Sequence, residues 1–199
     1  MKKQQILVIQ GGNVFNSYED YLEELNNKEM TLERIKLVTW RKNLQNDLDE
    51  DFDVLIPSMP RYDNAKYAEW KIRFEKIIPL LDDNFIVVAT SLGALFVVKY
   101  LSENHSPKKI FATFLVAAPF ALETKYALGD FRIKGDLQKL EEQGGKLFFY
   151  QSKDDKIVLP SEVEEYRKRL PSAVIRLLDG YGHFEVEKFP EIIEDIKSI

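Results

Sequence analysis

The sequence has no cysteine among its 199 residues. Disulfides, thiol nucleophiles and cysteine-ligated metal sites are therefore excluded, and the composition suits a reducing compartment. Histidine occurs only twice, as His105 and His183, so an imidazole base has to be one of these two. Positive charge is not in excess either: 28 Lys and Arg stand against 33 Asp and Glu, a net charge of −5. That balance provides no electrostatic footprint for a nucleic acid or an anionic membrane. Long apolar runs are missing, and none approaches the roughly 20 residues of a membrane-spanning helix. Met1-Lys2-Lys3-Gln4-Gln5 is followed by only four apolar residues, too few for a secretory signal. The expectation is a cytoplasmic protein with one domain, 1–199, long enough to bury a substantial core.

What is present is organised around one stretch. Phe85-Ile-Val-Val-Ala89 is an unbroken β-branched and apolar run, the pattern of a strand buried on both faces. Leu92 to Tyr100 is apolar over nearly three turns and reads as a buried helix. Thr90-Ser91 lies between them. A serine on a sharp strand-to-helix turn has its hydroxyl exposed at the top of the sheet, above the free N–H groups and positive dipole end of the helix. Gly93 and Ala94 are small enough for close strand–helix approach. The pattern is G-x-S-x-G with Ala89 in the first glycine position.

The remaining strands are expected at Ile6–Ile9, Asp53–Ile56, Ile110–Ala117, Lys146–Tyr150 and Ala173–Leu178. Helices are expected at 17–27, 32–48, 64–81, 136–143, 161–170 and 189–199. Tyr67, Trp70, Phe74, Ile77, Ile78 and Leu81 recur at helical spacing and read as core. Asp47 to Asp53 lacks the sixth-position glycine and twelfth-position glutamate of a calcium loop and reads as a solvated connection. Gly11-Gly12 lacks the further glycine or lysine of a nucleotide loop. Residues 119–135 are too few for a cap domain and form at most a short lid or pocket wall. Six strands alternating with helices imply a three-layer αβα fold around a mostly parallel sheet, whose ligand site lies at the carboxyl ends of the strands.

Four polar loops leave that end: 10–13, 90–91, 151–156 and 179–183. A serine hydroxyl needs a base within hydrogen-bond reach. His105 follows the central helix, roughly 20 Å from Ser91, and reads as a surface residue. His183, in Gly-Tyr-Gly-His-Phe after the last strand, is at the correct end. An acid must hold its imidazole. Asp154 or Asp155, after the fifth strand, can supply it, and the other is then solvated or caps a turn. The order nucleophile, acid, base is that of the α/β-hydrolases. The oxyanion donors are expected to be the backbone N–H groups of Leu92 and of Gly12, with Asn13 the next candidate for the second.

With these residues the chain resembles the small, capless α/β-hydrolases of the YdeN and retinoblastoma-binding-protein type of serine hydrolase, over essentially its whole length. Gln10-Gly11-Gly12-Asn13 matches the family's His-Gly loop, Thr90-Ser91-Leu92-Gly93-Ala94 its Gly-His-Ser-Leu-Gly elbow, and Gly182-His183-Phe184 its histidine loop. Ser17 to Leu22, Met59-Pro60 and Asn64 to Lys71 look like its inserted and helical segments. In Ser152-Lys-Asp-Asp155-Lys-Ile-Val158 the family's aspartate stands three before the valine, which selects Asp155 over Asp154. Gln10 and Ala89-Thr90 depart from the family's histidine and Gly-His, and both changes touch the walls around the nucleophile.

The resemblance and the loops together imply a metal-independent serine hydrolase, with no cofactor, acting on small carboxylic esters or related acyl compounds through Ser91, His183 and Asp155. Phe15, Phe120, Tyr126 and Tyr181 are the expected pocket walls. The expected partner is a small acyl substrate, not a nucleic acid or a membrane. The altered elbow and Gln10 leave room for a hydrolase-fold binding protein, and the same triad would serve an amidase, peptidase or thioesterase.

Overall fold

Six short apolar runs become six strands: β1 (Gln4–Ile9), β2 (Phe52–Leu55), β3 (Phe85–Thr90), β4 (Ile110–Val116), β5 (Lys146–Ser152) and β6 (Val174–Leu178). The computed structural model describes residues 2–120 and 128–199. The strands form one sheet in the order β2-β1-β3-β4-β5-β6, and every pairing is parallel. Parallel neighbours need crossovers, and helices supply them. The chain runs outward from β1 to β2, then returns past β1 to β3 and continues to the other edge. β3 therefore lies between β1 and β4, with all six of its residues buried.

Two apolar cores sandwich the sheet. On one face α4 (Tyr67–Ile77), α5 (Leu92–Glu103), α6 (Gln138–Gln143) and α7 (Pro160–Arg169) pack on Leu7, Ile9, Val87, Leu115 and Phe149. On the other, α3 (Trp40–Asp47) and α8 (Pro190–Ser198) pack on Ile6, Val8, Ile86, Phe114 and Tyr150. Alternate strand residues go to opposite cores, as the two-residue period of a strand requires. The stripe on α4 is core: Trp70, Phe74 and Ile78 are fully buried, and Trp70 and Phe74 meet Phe96 of α5 edge to face. Helix α5 is buried from Leu92 to Leu101. Its one charge there, Lys99, is held by Glu103, the Arg132 carbonyl and the Tyr67 ring.

Two expected elements differ. The stretch 32–48 is not one helix but α2 (Leu32–Lys36) and α3, separated by extended residues. Of the residues at helical spacing there, Ile35 and Val38 are 65% and 47% exposed, while Thr39 and Leu44 are buried. Tertiary bonding decides the break. Trp40 docks by its backbone N–H on Val186 O (2.9 Å) and by its indole on Phe184 O (3.0 Å), bonds made to a segment some 144 positions away. The helix expected over 64–81 is α4, with a 3₁₀ turn at Tyr62–Asn64 before it and another at Ile78–Leu80 where Pro79 interrupts.

α1 (Tyr18–Asn27) and α2 bury no side chain at all. They are held by caps: Ser17 Oγ accepts from Asp20 N and Thr31 Oγ1 from Arg34 N. Of residues 119–135, 121–127 lie outside the described residues. Gly129–Phe131 is a 3₁₀ turn, and Phe131 is core against Trp70 and Tyr67.

Candidate active site

The turn from β3 into α5 forces Ser91 to φ 52° and ψ −125°. A side-chain-bearing residue there costs about 1–3 kcal/mol, so the surroundings have to hold it. Its N–H donates to Val116 O (2.8 Å) and its carbonyl accepts from Ala94 N (2.9 Å). The turn can be this sharp only because Gly93 has no side chain: a Cβ there would stand 2.5 Å from both Ile9 O and Gln10 O. Gly93→Ala is expected to wedge α5 away from β1 and cost about 3 kcal/mol or more. The measurement is thermal unfolding, where that loss corresponds to roughly 10 °C at this chain length.

Ser91 Oγ lies 2.9 Å from His183 Nε2, and His183 Nδ1 lies 2.9 Å from Asp155 Oδ2. The three residues come from the ends of β3, β5 and β6, spanning 92 positions. Exposure falls along the chain of contacts: the His183 side chain is 15% exposed and that of Asp155 0%. Asp155 is fixed by Ile157 N (2.8 Å) and Val158 N (3.0 Å) on Oδ1 and by Gln151 Nε2 (3.4 Å) on Oδ2. With both oxygens accepting, Asp155 is a carboxylate that takes a proton-bearing Nδ1. This leaves the lone pair of Nε2 facing the serine.

Asp154, read as solvated or a turn cap if not the acid, has a definite task. Its carboxylate accepts from Ser152 Oγ, Gly180 N (3.2 Å) and Gly182 N (3.1 Å), and Ser152 Oγ in turn accepts from Tyr181 N. It thereby ties down the glycine-rich loop before His183, whose Gly180 and Gly182 both have positive φ. The Ser152 hydroxyl first, then these N–H groups, hold Asp154 below the usual carboxylate range. A lowered folded pKa means the loop gains stability above the ordinary aspartate value and loses it as pH falls through the lowered one. The amide proton resonances of Gly180 and Gly182 are expected to titrate below pH ~4, and Asp154→Asn to abolish that titration.

From the far side, Trp40 Nε1 and Arg41 Nη1 both donate to Phe184 O, and Arg41 pairs with Glu185 at 2.6 Å. Thr90, one of the unusual elbow residues, accepts from Gly11 N with its hydroxyl (3.1 Å). Asn13 N donates to Tyr62 O. Between them, among the described residues, the Gly12 N–H has no protein acceptor, and Gly12 lines both clefts at Ser91. Gly12 is compelled to be glycine, since a Cβ would meet Tyr62 O at 2.4 Å. The Leu92 N–H, first of α5, has no acceptor within the helix.

Two clefts meet at this point. One, about 220 Å³, is walled by Val14, Phe15, Pro119, Leu128, Ile157 and Val158. The other, about 440 Å³, is more polar and includes Gln10, Arg41, Tyr62, Thr90 and Glu185. Among the described residues Phe15 alone of the expected walls lines either of these two clefts. Phe120 instead packs edge to face on Tyr166 and under Arg169. Tyr181 stacks on Phe184 and donates to Glu191 (2.6 Å); burial and that carboxylate push its phenol up to about 12. Tyr126 lies outside the described residues. His105 is exposed in the loop beyond α5, away from the clefts.

The profile of the serine hydrolase family matches residues 36–195. The chain belongs to the serine hydrolase family. A search of curated proteins finds no match. Among solved structures this serine hydrolase is similar to the ydeN gene product of B. subtilis, with 19% identity, TM-score 0.72 and 98% of each chain covered. It is also similar to 2-hydroxy-6-oxo-6-phenylhexa-2,4-dienoate hydrolase from Rhodococcus sp. strain RHA1, with 13% identity, TM-score 0.67, and 98% and 90% covered. A third, from a study of carboxylesterases of the Thaumarchaeon Nitrososphaera gargenis, has 16% identity, TM-score 0.60, and 98% and 89% covered. At these identities the likeness establishes the α/β-hydrolase fold and leaves the substrate open. No helix among the described residues is long and apolar enough to cross a membrane.

Sequence reasoning singled out Thr90 and Asp154 without the bonds they make, and missed Gln151, as supports of this serine hydrolase's site. Each adjoins a candidate residue or its loop, and that adjacency was the one signal available. The cleft residues Lys28 and Arg34 had none, because they lie just after and on helices with no buried residue.

Proposed function

We propose that this serine hydrolase cleaves small carboxylic esters through Ser91, His183 and Asp155 and an acyl-enzyme. The observation that carries this reading is the unbroken hydrogen-bonded chain from Ser91 Oγ to the buried Asp155 carboxylate, two contacts of 2.9 Å each, at the junction of two clefts. Ser91 Oγ attacks the ester carbonyl carbon while His183 Nε2 takes its proton. The imidazolium is balanced by Asp155 through Nδ1–H. Charge that develops on the carbonyl oxygen is met by the N–H groups of Leu92 and Gly12, each such donor being worth about two to three orders of magnitude in rate. His183 then gives its proton to the departing alkoxide, leaving Ser91 acylated. Water adds to the acyl carbon as His183 accepts one of its protons. Collapse returns that proton to Ser91 Oγ and frees the acid.

The small apolar cleft suits a short acyl chain, in keeping with the carboxylesterases among proteins of this fold. The test is labelling with a fluorophosphonate, followed by mapping of the adduct. Modification of Ser91 alone, with burst release of alcohol from a short-chain ester, is the expected result. A folded protein that takes no label, or takes it elsewhere, would sink the reading. Rates on a matched ester, thioester and amide series identify the leaving group.

A further inference from the structure

Two cations stand where both clefts reach the site. Lys28, the residue just after α1, and Arg34, on α2, each line the apolar and the polar cleft, together with Ser91 and His183. Arg34 is set in place by the Thr31 cap on its N–H and spends one guanidinium donor on Glu29 O (3.1 Å). Among the described residues neither Lys28 nor Arg34 has a carboxylate within ion-pair distance. Arg41 provides the contrast, since it also lines the polar cleft but is paired with Glu185 and bonded to Phe184 O. One carboxylate, Glu24, lines the apolar cleft one turn before Lys28. Among the described residues, two cations against that single carboxylate, with Arg41 balanced by Glu185, leave the lining of the two clefts with an excess of positive charge, on a protein whose net charge is −5.

A positive entrance to a compact apolar chamber calls for a ligand with a short apolar segment and an anion beside it. Arg34 retains donors in the planar fork that matches a carboxylate, and Lys28 adds a point charge. We infer that the substrate is an anionic ester, a half-ester of a short dicarboxylic acid, whose free carboxylate meets Arg34 and Lys28 while its ester carbonyl lies over Ser91. The inference rests on the ester-hydrolase reading and specifies its substrate class. It also gives a purpose to α1 and α2, two capped helices with no buried side chain that carry these cations to the site.

The test compares kcat/KM for monomethyl glutarate with that for dimethyl glutarate, which differs by one charge. The enzymes are the wild type, Lys28→Gln, Arg34→Gln and the double variant. Fluorophosphonate titration counts competent sites in each, so the ratio of the two rates is unaffected by partial misfolding. The half-ester is expected to be favoured roughly five- to thirtyfold, the scale of charge-assisted bonds at an exposed site. The ratio should fall towards one in the double variant and as salt is raised from 50 to 500 mM, because exposed cations are screened. Hydrolysis of the diester with no preference for the half-ester overturns the inference alone, as does a preference that the double variant retains. Absence of both turnover and labelling overturns the ester-hydrolase reading, and this inference with it.

Discussion

Ser91→Ala is expected to lower kcat for a short-chain ester by on the order of 10⁶-fold and to abolish fluorophosphonate labelling, with the fold intact. The alanine removes one atom, Oγ, whose contact is with His183 Nε2. The bonds that hold the elbow are main-chain, from Ser91 N to Val116 O and from Ala94 N to Ser91 O, and they survive. The Leu92 and Gly12 N–H groups also survive, so a residual acceleration over water of about 10³–10⁴ is expected from them and from binding. Steady-state kinetics on protein checked by circular dichroism measures both quantities. Activity within tenfold of wild type would place the nucleophile elsewhere.

Asp155→Asn is expected to cost about 10⁴-fold in kcat with little change in thermal stability. The amide oxygen can still accept from Ile157 N and Val158 N, so the loop after β5 keeps its shape. The atom facing His183 Nδ1 then becomes an amide nitrogen, a donor where an acceptor stood. The imidazole answers by placing its proton on Nε2, pointing it at Ser91 Oγ, where it can take no proton. The imidazolium of the reaction also loses its buried counter-charge, and the Asp155 side chain has no solvent access to compensate. Loss in kcat with KM nearly unchanged is the expected division. Asp154→Asn supplies the control, since that carboxylate bonds Gly180, Gly182 and Ser152 rather than the imidazole. If Asp154→Asn were the more damaging change, the assignment of the acid would be reversed.

Much of the architecture was legible because sheet burial imposes a local pattern. β3 is buried on both faces and is written as an unbroken apolar run; α4 is buried on one face and is written with helical spacing. The parallel order of the sheet then brings all carboxyl ends to one edge. This is why loops at 10–13, 90–91, 151–156 and 179–183 can be read as neighbours before any coordinate is known. Where an element lacks a buried face, local pattern misleads. Leu32 to Leu48 has helical spacing throughout, yet the chain breaks before Trp40, because that residue gains two hydrogen bonds and burial against the His183 loop.

The pocket was less legible than the sheet. Phe120 and Tyr181 lie in the right loops, but direction decides what a ring does. Phe120 turns to Tyr166, and Tyr181 to Phe184 and Glu191. Thr90 holding Gly11 and Asp154 holding the loop before His183 are bonds across 79 and 26 to 28 positions, which no local window contains.

By itself, then, the sequence determined the layers, the strand-end placement of Ser91, Asp154, Asp155 and His183, and the absence of thiol chemistry, because burial period, glycine positions and composition are properties of short segments. The family register already selects Asp155 over Asp154; only the tertiary structure decided what Asp154 holds instead, which aromatic rings turn away from the cleft, and that Lys28 and Arg34 stand unpaired at its mouth among the described residues. Those are matters of side-chain direction and of distances of a few ångströms between remote segments, which come into existence only when the sheet is assembled.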